Sequence, residues 1–421
     1  MEKLINLSET NFDNLPIDEF WNLGNTREKK MHRIHAYPAK FPAFITEKAL
    51  DFAKKQGLHV SKIADIFCGC GTVAYEAKRN NIDFWGCDIN PVATLIAKVK
   101  SRKYSSRWLK KYYYMILANY ESIECDNQYQ KANPRLQYWY DEEHYTELFR
   151  LRMAIDKSTP ISSEYRLFFI CALSNILKAS SKWLTKSIKP QIDPNKVPCN
   201  ALVSFKNQVE FMIRANEDSD ALASSKTEII TGNILELNIP SGVDMIISSP
   251  PYVTSYEYAD LHQLSSLWLN YASDYRNFRK GSIGSIYNDF NFQKEVKNVN
   301  NSGQKIVFSL YNHDKSKARS IAKYYLDMQK VASICYNMLN TNGLAIFVIG
   351  NTEYKSVRID NVRHLAESLF SSGFRTVLVT KRKISNKILT PYRDKNGKFT
   401  TDVSGRRIYS EEFILCGRKD A

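Results

Sequence analysis

The feature that most limits how this chain can fold is a short apolar run, residues 243–248, which stops on Ser249-Pro250-Pro251-Tyr252. An apolar run of this length, bounded by a turn signal, is typical of a buried strand in a parallel sheet. The two prolines fix φ and lack an N–H group, so no helix can begin there. The strand should therefore end in a stiff loop at the carboxyl edge of the sheet, where open α/β folds bind ligands. A hydroxyl, free carbonyls and an aromatic ring on that loop suit a flat polar ligand such as a nucleobase.

An earlier stretch predicts a βαβ unit with a glycine-rich first turn. Residues 60–67 read as a strand, and the turn Cys-Gly-Cys-Gly-Thr follows at positions 68–72. A helix then leads to a second strand that ends at Asp88. Asn90 can cap the next helix, which Pro91 opens.

The glycine turn raises the question of which cofactor it serves. Gly69, Gly71 and Ala74 fit the dinucleotide pattern G-x-G-x-x-A, which seats a pyrophosphate at a helix N-terminus. Asp65 closes the preceding strand, and a buried carboxylate about 5 Å from a diphosphate costs roughly 3 kcal/mol per charge pair. S-adenosylmethionine carries an ammonium and a sulfonium and no phosphate, so it is favoured over nicotinamide and flavin cofactors. Asp88 is positioned to take its ribose hydroxyls, and a purely structural glycine turn is the remaining alternative.

Composition narrows the class of partner. The 421 residues include 59 Lys and Arg against 44 Asp and Glu, a formal net charge of +15. This excess favours a nucleic acid, with a solvated basic surface as the alternative. No apolar run reaches the roughly 18 residues of a membrane span, and the N-terminus is not a signal peptide. The eight cysteines contain no C-x-x-C pair, which predicts reduced thiols, no metal site and a cytoplasmic protein.

Residues 101–225 interrupt the α/β rhythm with a segment much longer than a crossover requires. Its composition and spacing predict a mostly helical insertion, a candidate DNA-binding or target-recognition region. Residues 164–189 read as one amphipathic helix. Four lysines would share one face of that helix and could follow a phosphate backbone, unless they form only a solvated face; they are Lys178, Lys182, Lys186 and Lys189.

The α/β pattern resumes with a strand at 227–231, after which Asn233 is a candidate to hydrogen-bond an adenine edge. A helix is expected over 255–269, with His262 on its polar face. Residues 271–318 predict a long mobile loop near the active edge. Three cations on this loop are candidate DNA contacts: Arg276, Arg279 and Lys280.

The C-terminal part completes the predicted sheet. A helix over 319–340 should precede a fifth strand at 343–350, and a further helix is expected over 360–370. The last two strands read as an antiparallel hairpin separated by a basic excursion that contains Arg406 and Arg407. The predicted fold is α/β, a Rossmann-like sheet of seven strands whose last hairpin is antiparallel, with a large helical insertion. Its expected regions are 1–60 as an N-terminal segment, 61–100 with 226–421 as the catalytic domain, 101–225 as the insertion and 271–318 as the loop.

Taken together, the glycine turn, the second-strand acid and Ser-Pro-Pro-Tyr resemble the amino-group DNA methyltransferases. Ser-Pro-Pro-Tyr is typical of the cytosine-N4 branch, and Asp- or Asn-Pro-Pro-Tyr of the adenine-N6 branch. Residues 35–42, His-Ala-Tyr-Pro-Ala-Lys-Phe-Pro, resemble the family motif that packs against the methionine part of the cofactor. Two features depart from the family: Asn233 stands where an acid is common, and the insertion resembles no known target-recognition domain.

The resemblance implies methyl transfer from S-adenosylmethionine to N4 of a flipped-out cytosine in double-stranded DNA, with a cognate restriction endonuclease as a usual companion. Adenine-N6 methylation is the main alternative, ahead of RNA guanine-N2 or protein-glutamine methylation and of a catalytically silent nucleic-acid-binding module. The implied catalytic residues are Ser249, Pro250, Pro251 and Tyr252. The implied cofactor residues are Tyr37, Pro38, Lys40, Phe41, Asp65, Phe67, Gly69, Gly71, Thr72, Asp88, Ile89 and Asn233.

Overall fold

The structure is a computed structural model that describes residues 10–24, 27–38, 40–219, 224–253, 258–384, 392–393, 399–400, 402, 406–407 and 410–420. The strands are β1 Lys62–Asp65, β2 Asp83–Asp88, β3 Thr227–Thr231, β4 Val243–Ser248, β5 Leu339–Ile349, β6 Thr352–Tyr354, β7 Val357–Ile359, β8 Thr376–Lys383, β9 Tyr392–Arg393, β10 Phe399–Thr400, β11 Arg406–Arg407 and β12 Glu411–Arg418. The α-helices are α1 Ala43–Lys55, α2 Thr72–Arg79, α3 Pro91–Lys100, α4 Ser106–Tyr120, α5 Pro134–Trp139, α6 Glu142–Ser158, α7 Glu164–Ile176, α8 Ala201–Glu217, α9 Tyr258–Leu261, α10 Gln263–Trp268, α11 Phe292–Glu295, α12 Asn301–Tyr311, α13 Lys315–Met338 and α14 Asn361–Ser371.

The main sheet has seven strands in the order β3-β2-β1-β4-β5-β12-β8. The first five of these strands pair in parallel, while β12 runs antiparallel to both β5 and β8. The predicted α/β fold and its terminal antiparallel hairpin are therefore confirmed. β4 lies beside β1, so chain order reverses between these strands and opens a crevice at their carboxyl ends.

In its described residues, the long segment between α3 and β3 contains five helices, α4 to α8, with irregular stretches between them. Their inner faces share one apolar core with α3 and α10. Two fully buried indoles lie in that core, where Trp139 and Trp183 stack with ring centroids 4.9 Å apart. The helical segment therefore packs directly on α10, a helix that follows the Ser-Pro-Pro-Tyr loop in the chain.

The predicted helix over 164–189 is wrong beyond Ile176, where α7 ends. The Lys178 ammonium donates to the carbonyls of Thr185 and Ser187, at 3.1 and 2.7 Å, which folds the chain back on itself. Trp183 lies within this reversal, and its side chain is buried in the apolar core. The four lysines therefore do not form a helical stripe.

The long loop predicted over 271–318 is wrong over much of its length. Residues Tyr275–Arg279 and Val296–Asn298 form 3₁₀ turns, and α11, α12 and the start of α13 occupy nearly half of the rest. The helix expected over 255–269 is two short helices, α9 and α10, and residues 254–257 lie outside the described part of the chain. Among the described residues, no helix is long and apolar enough to cross a membrane.

Candidate active site

The Ser-Pro-Pro-Tyr loop leaves β4 at the carboxyl edge of the sheet. The Ser249 hydroxyl donates its hydrogen to the Val348 carbonyl of β5, at 3.0 Å. The oxygen lone pairs of Ser249 are therefore left to accept hydrogen bonds. Pro250 is buried and Pro251 half-buried, which holds the loop against the sheet.

Tyr252 ends this loop with 37% of its surface exposed. Its ring lies against Gly350, the residue that follows β5. A Cβ atom added to Gly350 would stand 3.2 Å from Cε1 of Tyr252, closer than side chains normally approach. Gly350 thus allows the ring to approach the strand end closely, a role that the sequence analysis missed. A glycine directly after a buried strand is the signal that indicates such a close approach.

The glycine turn lies between β1 and α2. Gly69 and Gly71 have φ angles of +48° and +73°, the left-handed region that glycine favours. A Cβ atom on Gly71 would lie 2.5 Å from Cβ of Ala97, so this glycine also allows α2 and α3 to pack closely. The Gly69 N–H donates to the Asp88 carboxylate at 2.9 Å, which joins the turn to the end of β2.

A second carboxylate, Asp65, joins the glycine turn to the catalytic loop. The Ser248 hydroxyl donates to Asp65 at 2.6 Å, and Ser248 directly precedes Ser249. The Phe67 N–H lies 3.2 Å from both the Asp65 carboxylate and the Ser248 hydroxyl. Ser248 is a positioning residue that the sequence analysis missed, because its partner lies 183 residues away.

The surroundings of both carboxyl groups raise their pKa values and so favour the protonated, neutral forms. Burial raises the pKa of Asp65 to about 7, against the hydrogen bonds from Ser248 and Phe67. Burial also raises the pKa of Asp88 to about 6, against the N–H groups of Asn90 and Gly69. A cation bound beside them would compensate for the lost hydration and favour the ionised forms.

The N-terminal motif meets the glycine turn through Tyr37. Its ring stacks on His262 with centroids 5.0 Å apart, and its Cε1 lies 3.7 Å from the position of a Cβ on Gly69. His262 is only 5% exposed, so its expected position on a polar helix face is wrong. Burial lowers the pKa of His262 to about 4, so the ring is neutral and stacks as an apolar surface.

The remaining residues of the motif support its backbone. The Lys40 ammonium donates to the His32 carbonyl at 3.0 Å and pairs with Glu28 at 2.6 Å. Pro38 lies half-buried in a turn. Phe41 packs, half-buried, on the apolar core under the sheet. Lys40 therefore orders the chain rather than presenting a free ammonium to the site.

Ile89 and Asn233 lie at the ends of neighbouring strands. The Asn233 side chain accepts from the Leu235 N–H and donates to Glu236, so its amide caps its own turn. The preceding Gly232 N–H donates to the Asp88 carbonyl at 3.0 Å, which attaches this turn to β2. Ile89 is half-buried.

Two buried polar atoms in this region have no partner among the described residues. They are the Oγ1 of Thr72, in the first turn of α2, and the Nδ2 of Asn90, directly after β2. Such atoms are costly to leave unpaired in a protein interior. Together with two carboxylates and a glycine turn they fit a cofactor that carries both cations and hydroxyl groups. S-adenosylmethionine meets that description.

The predicted DNA-contacting cations are dispersed. Arg276 pairs with Asp274, and Arg279 pairs with Asp260 at 2.7 Å, so both guanidinium groups are engaged within the protein. Lys182 is half-buried. The exposed lysines of the set are Lys186, Lys189 and Lys280. The side chains of Arg406 and Arg407 lie outside the part that the structure describes.

The strand order, the glycine turn and the acid at the end of β2 define a Rossmann-like methyltransferase that uses S-adenosylmethionine. Comparisons with known proteins narrow this class. The sequence model of the N6_N4_Mtase family, described as DNA methylase, matches residues 2–99. The chain is 22% identical over 398 residues to the Type II methyltransferase M.MvaI of Kocuria varians, covering 86% of each chain. These findings support the amino-group DNA methyltransferase family for this chain.

Two further similarities are more limited. The Type II methyltransferase M.MjaII of Methanocaldococcus jannaschii is 28% identical over 151 residues, which cover 34% of this chain and 28% of that protein. The solved rRNA methyltransferase aviRa of Streptomyces viridochromogenes covers 94% of both chains at 9% identity, with a TM-score of 0.31. A TM-score this low adds nothing to the assignment.

Proposed function

We propose that this protein methylates the exocyclic N4 of cytosine in double-stranded DNA. The observation that carries the proposal is the state of Ser249, whose hydrogen is donated to Val348 while its oxygen stays available as a neutral acceptor. An exposed aromatic ring, Tyr252, stands three residues further on a proline-stiffened loop. Ser-Pro-Pro-Tyr is also the form of this loop that is typical of the N4 branch.

In this reaction the protein has to position the target base and the methyl donor, and it does not have to supply a nucleophile of its own. An exocyclic amine is a poor nucleophile because its lone pair is delocalised into the ring. S-adenosylmethionine supplies an electrophilic methyl group when it is bound. The Ser249 oxygen and the Pro250 carbonyl accept hydrogen bonds from the amine, which draws its nitrogen toward sp³ geometry. Holding the two reactants in line then supplies much of the rate.

The other residues would divide between the base and the donor. The target base must leave the duplex, at a cost of a few kcal/mol, and Tyr252 would stack on it. Asp65 would lie near the cationic part of the donor and Asp88 near its ribose hydroxyls. The hydrogen bond from Ser248 to Asp65 couples donor site and base site through one hydroxyl.

Adenine-N6 methylation is the second candidate, because the matching family model is named for both N6 and N4 enzymes. The two candidates share the donor, the loop and base flipping. They differ in the ring that must fit between Tyr252 and Ser249.

We also propose a restriction–modification setting, because both curated relatives are named Type II methyltransferases. In that setting a cognate endonuclease cuts the unmethylated sequence, and both enzymes act on cellular DNA in the cytoplasm. The helical segment 101–225 is the candidate region for reading the target. Its support is the contact between that segment and α10, which follows the catalytic loop, through Trp139 and Gln263.

The test is to incubate the purified protein with S-adenosylmethionine and unmethylated DNA, digest the DNA to nucleosides and identify them by mass spectrometry. The proposal predicts N4-methyldeoxycytidine. N6-methyldeoxyadenosine as the product would transfer the assignment to the second candidate. No methylated nucleoside from DNA, with donor binding intact, would contradict both.

A further inference from the structure

An open cavity of about 720 Å³ lies outside the site described above, between residues 289–295 and the facing ends of α12 and α13. This volume is within the roughly 300–1,000 Å³ of small-ligand sites. Its wall is aromatic, since Phe290 and Tyr311 line it and the buried Phe292 stacks on Tyr311 with centroids 5.3 Å apart.

Two cations face this cavity from one side of α13. Lys315 and Arg319 are four residues apart, so they share a helix face. Both are exposed, and neither has an ion-pair partner among the described residues. The Lys315 ammonium lies 5.6 Å from the centre of the Tyr311 ring. This arrangement contrasts with Arg276 and Arg279, whose charges are neutralised by neighbouring aspartates.

The rim of the cavity also carries hydrogen-bonding groups. Asp289, Asn291, Gln293 and Glu295 line it, and the Glu295 carboxylate accepts the Asn291 N–H at 2.8 Å. Two carboxylates would weaken a site for a bare phosphate. Carboxylate and amide groups instead match the amino and carbonyl edges of a base. An aromatic wall, two cations and a mixed polar rim together match a whole nucleotide.

The cavity lies close to the catalytic loop. Lys317, between the two cations in sequence, reaches the Val253 carbonyl at 3.5 Å, and Val253 directly follows Tyr252. Lys317 projects from the side of α13 opposite the cavity, so the helix, roughly 10–12 Å across, separates the cavity from the loop. At about 3.4 Å per nucleotide along one strand, this minimum separation corresponds to at least about three steps of DNA.

We propose that this cavity binds one nucleotide of the DNA substrate, at least about three steps from the target base. Lys315 and Arg319 hold its phosphate, the sugar and base pack on Phe290 and Tyr311, and the polar rim contacts the base edge. The proposal rests on the proposed DNA methylation. It assigns part of the affinity and sequence preference to the segment 289–319 rather than to the helical insertion.

The first experiment measures binding of a fluorescent 30-base-pair duplex at several salt concentrations by anisotropy. Lys315→Gln with Arg319→Gln should lower the slope of log affinity against log salt by about 0.9, the value for one lost phosphate contact. Lys330→Gln is the matched control, an exposed lysine about 16 Å further along α13, and should leave the slope unchanged. Donor binding by calorimetry should stay at the wild-type value in all variants.

The second experiment tests the base edge. Asp289→Ala with Gln293→Ala should change the relative methylation of sequences at one position flanking the target by about tenfold, measured by sequencing that resolves modified bases. An unchanged salt slope for the lysine–arginine variant, in a protein that methylates DNA normally, would overturn the phosphate site. Unchanged flanking preference would overturn the base contact. If the wild-type protein neither binds nor methylates DNA, the proposed function itself fails.

Discussion

At the scale of single residues, the site depends on the hydrogen bonds made by two consecutive serines. Ser249 donates to Val348 and keeps its lone pairs, while Ser248 donates to Asp65 and ties the two loops together. Local sequence predicted Ser249, because the prolines after it mark the end of a strand. It could not predict Ser248, because that role exists only once β4 pairs with β1.

The raised pKa values of Asp65 and Asp88 predict how donor binding depends on pH. In the donor-free protein both groups have folded-state pKa values above 3.8, so their stabilising contribution is present at low pH and is lost as pH rises through about 6 to 7. The cationic donor favours the ionised carboxylates, so its affinity should rise over the same interval. We expect binding at least about tenfold weaker at pH 5.5 than at pH 8.

Calorimetry across this pH range measures the effect, and repeating it in buffers of different ionisation enthalpy counts the protons released. Asp65→Asn should weaken donor binding at pH 8. It should also make donor affinity depend less on pH in the upper part of this range. The same dissociation constant at both pH values in the wild-type protein would be incompatible with buried, proton-binding carboxylates at the donor site.

At the scale of elements, sequence periodicity predicted the strands and helices correctly where tertiary packing favoured the same structure. The strand that ends at Ser248 and the helix that begins at Pro91 follow from local pattern and capping. The lysine stripe of 178–189 had helical spacing, yet the buried Trp183 and the hydrogen bonds of Lys178 favour a chain reversal. Helical spacing of charged residues is a weak signal when a large aromatic must be buried within the same stretch.

The β8–β12 hairpin gives a second example of a basic residue whose position is decided by packing. Arg382 is 2% exposed and lies directly across from Glu412 in the β8–β12 ladder, with Nε 2.6 Å from the carboxylate. Arg382→Met should reduce the free energy of unfolding by about 3 kcal/mol, because it leaves a buried carboxylate unpaired. Urea denaturation measures this loss.

The matched control is the double variant Arg382→Met with Glu412→Met. Replacing both charges removes the unpaired group, so most of the lost stability should return. If the single and double variants were equally destabilised, the loss would come from packing against Phe44, which lies 5.1 Å from the Arg382 guanidinium, rather than from the charge.

At the scale of the whole molecule, the helical segment between α3 and β3 is joined to the residues that follow the Ser-Pro-Pro-Tyr loop. Gln263, fully buried in α10, accepts from the Trp139 indole at 2.9 Å and from Arg135 at 2.7 Å, and donates to the Asp260 carbonyl. Sequence predicted both an insertion and a sheet. The contact between them could not be predicted, because it joins residues more than 120 positions apart.

Gln263→Ala should therefore destabilise the protein by about 3 kcal/mol, since it leaves a buried indole N–H unpaired and opens a cavity. Denaturant unfolding measures the change. Gln130→Ala is the control, because its hydrogen bond to Glu142 is exposed, and should stay within about 0.5 kcal/mol of the wild type. Equal stability of the two variants would mean that Gln263 does not join the two parts.

The central claim is that the Ser-Pro-Pro-Tyr loop holds the target base, while other residues bind the methyl donor. The most direct measurement is single-turnover methyl transfer to DNA by Tyr252→Ala, with donor affinity measured on the same preparation. The account predicts a rate at least about 100-fold below the wild type, since misplaced reactants lose that much, with an unchanged donor dissociation constant. Tyr252→Phe keeps the ring and should keep most of the rate. A wild-type rate for Tyr252→Ala would contradict the account.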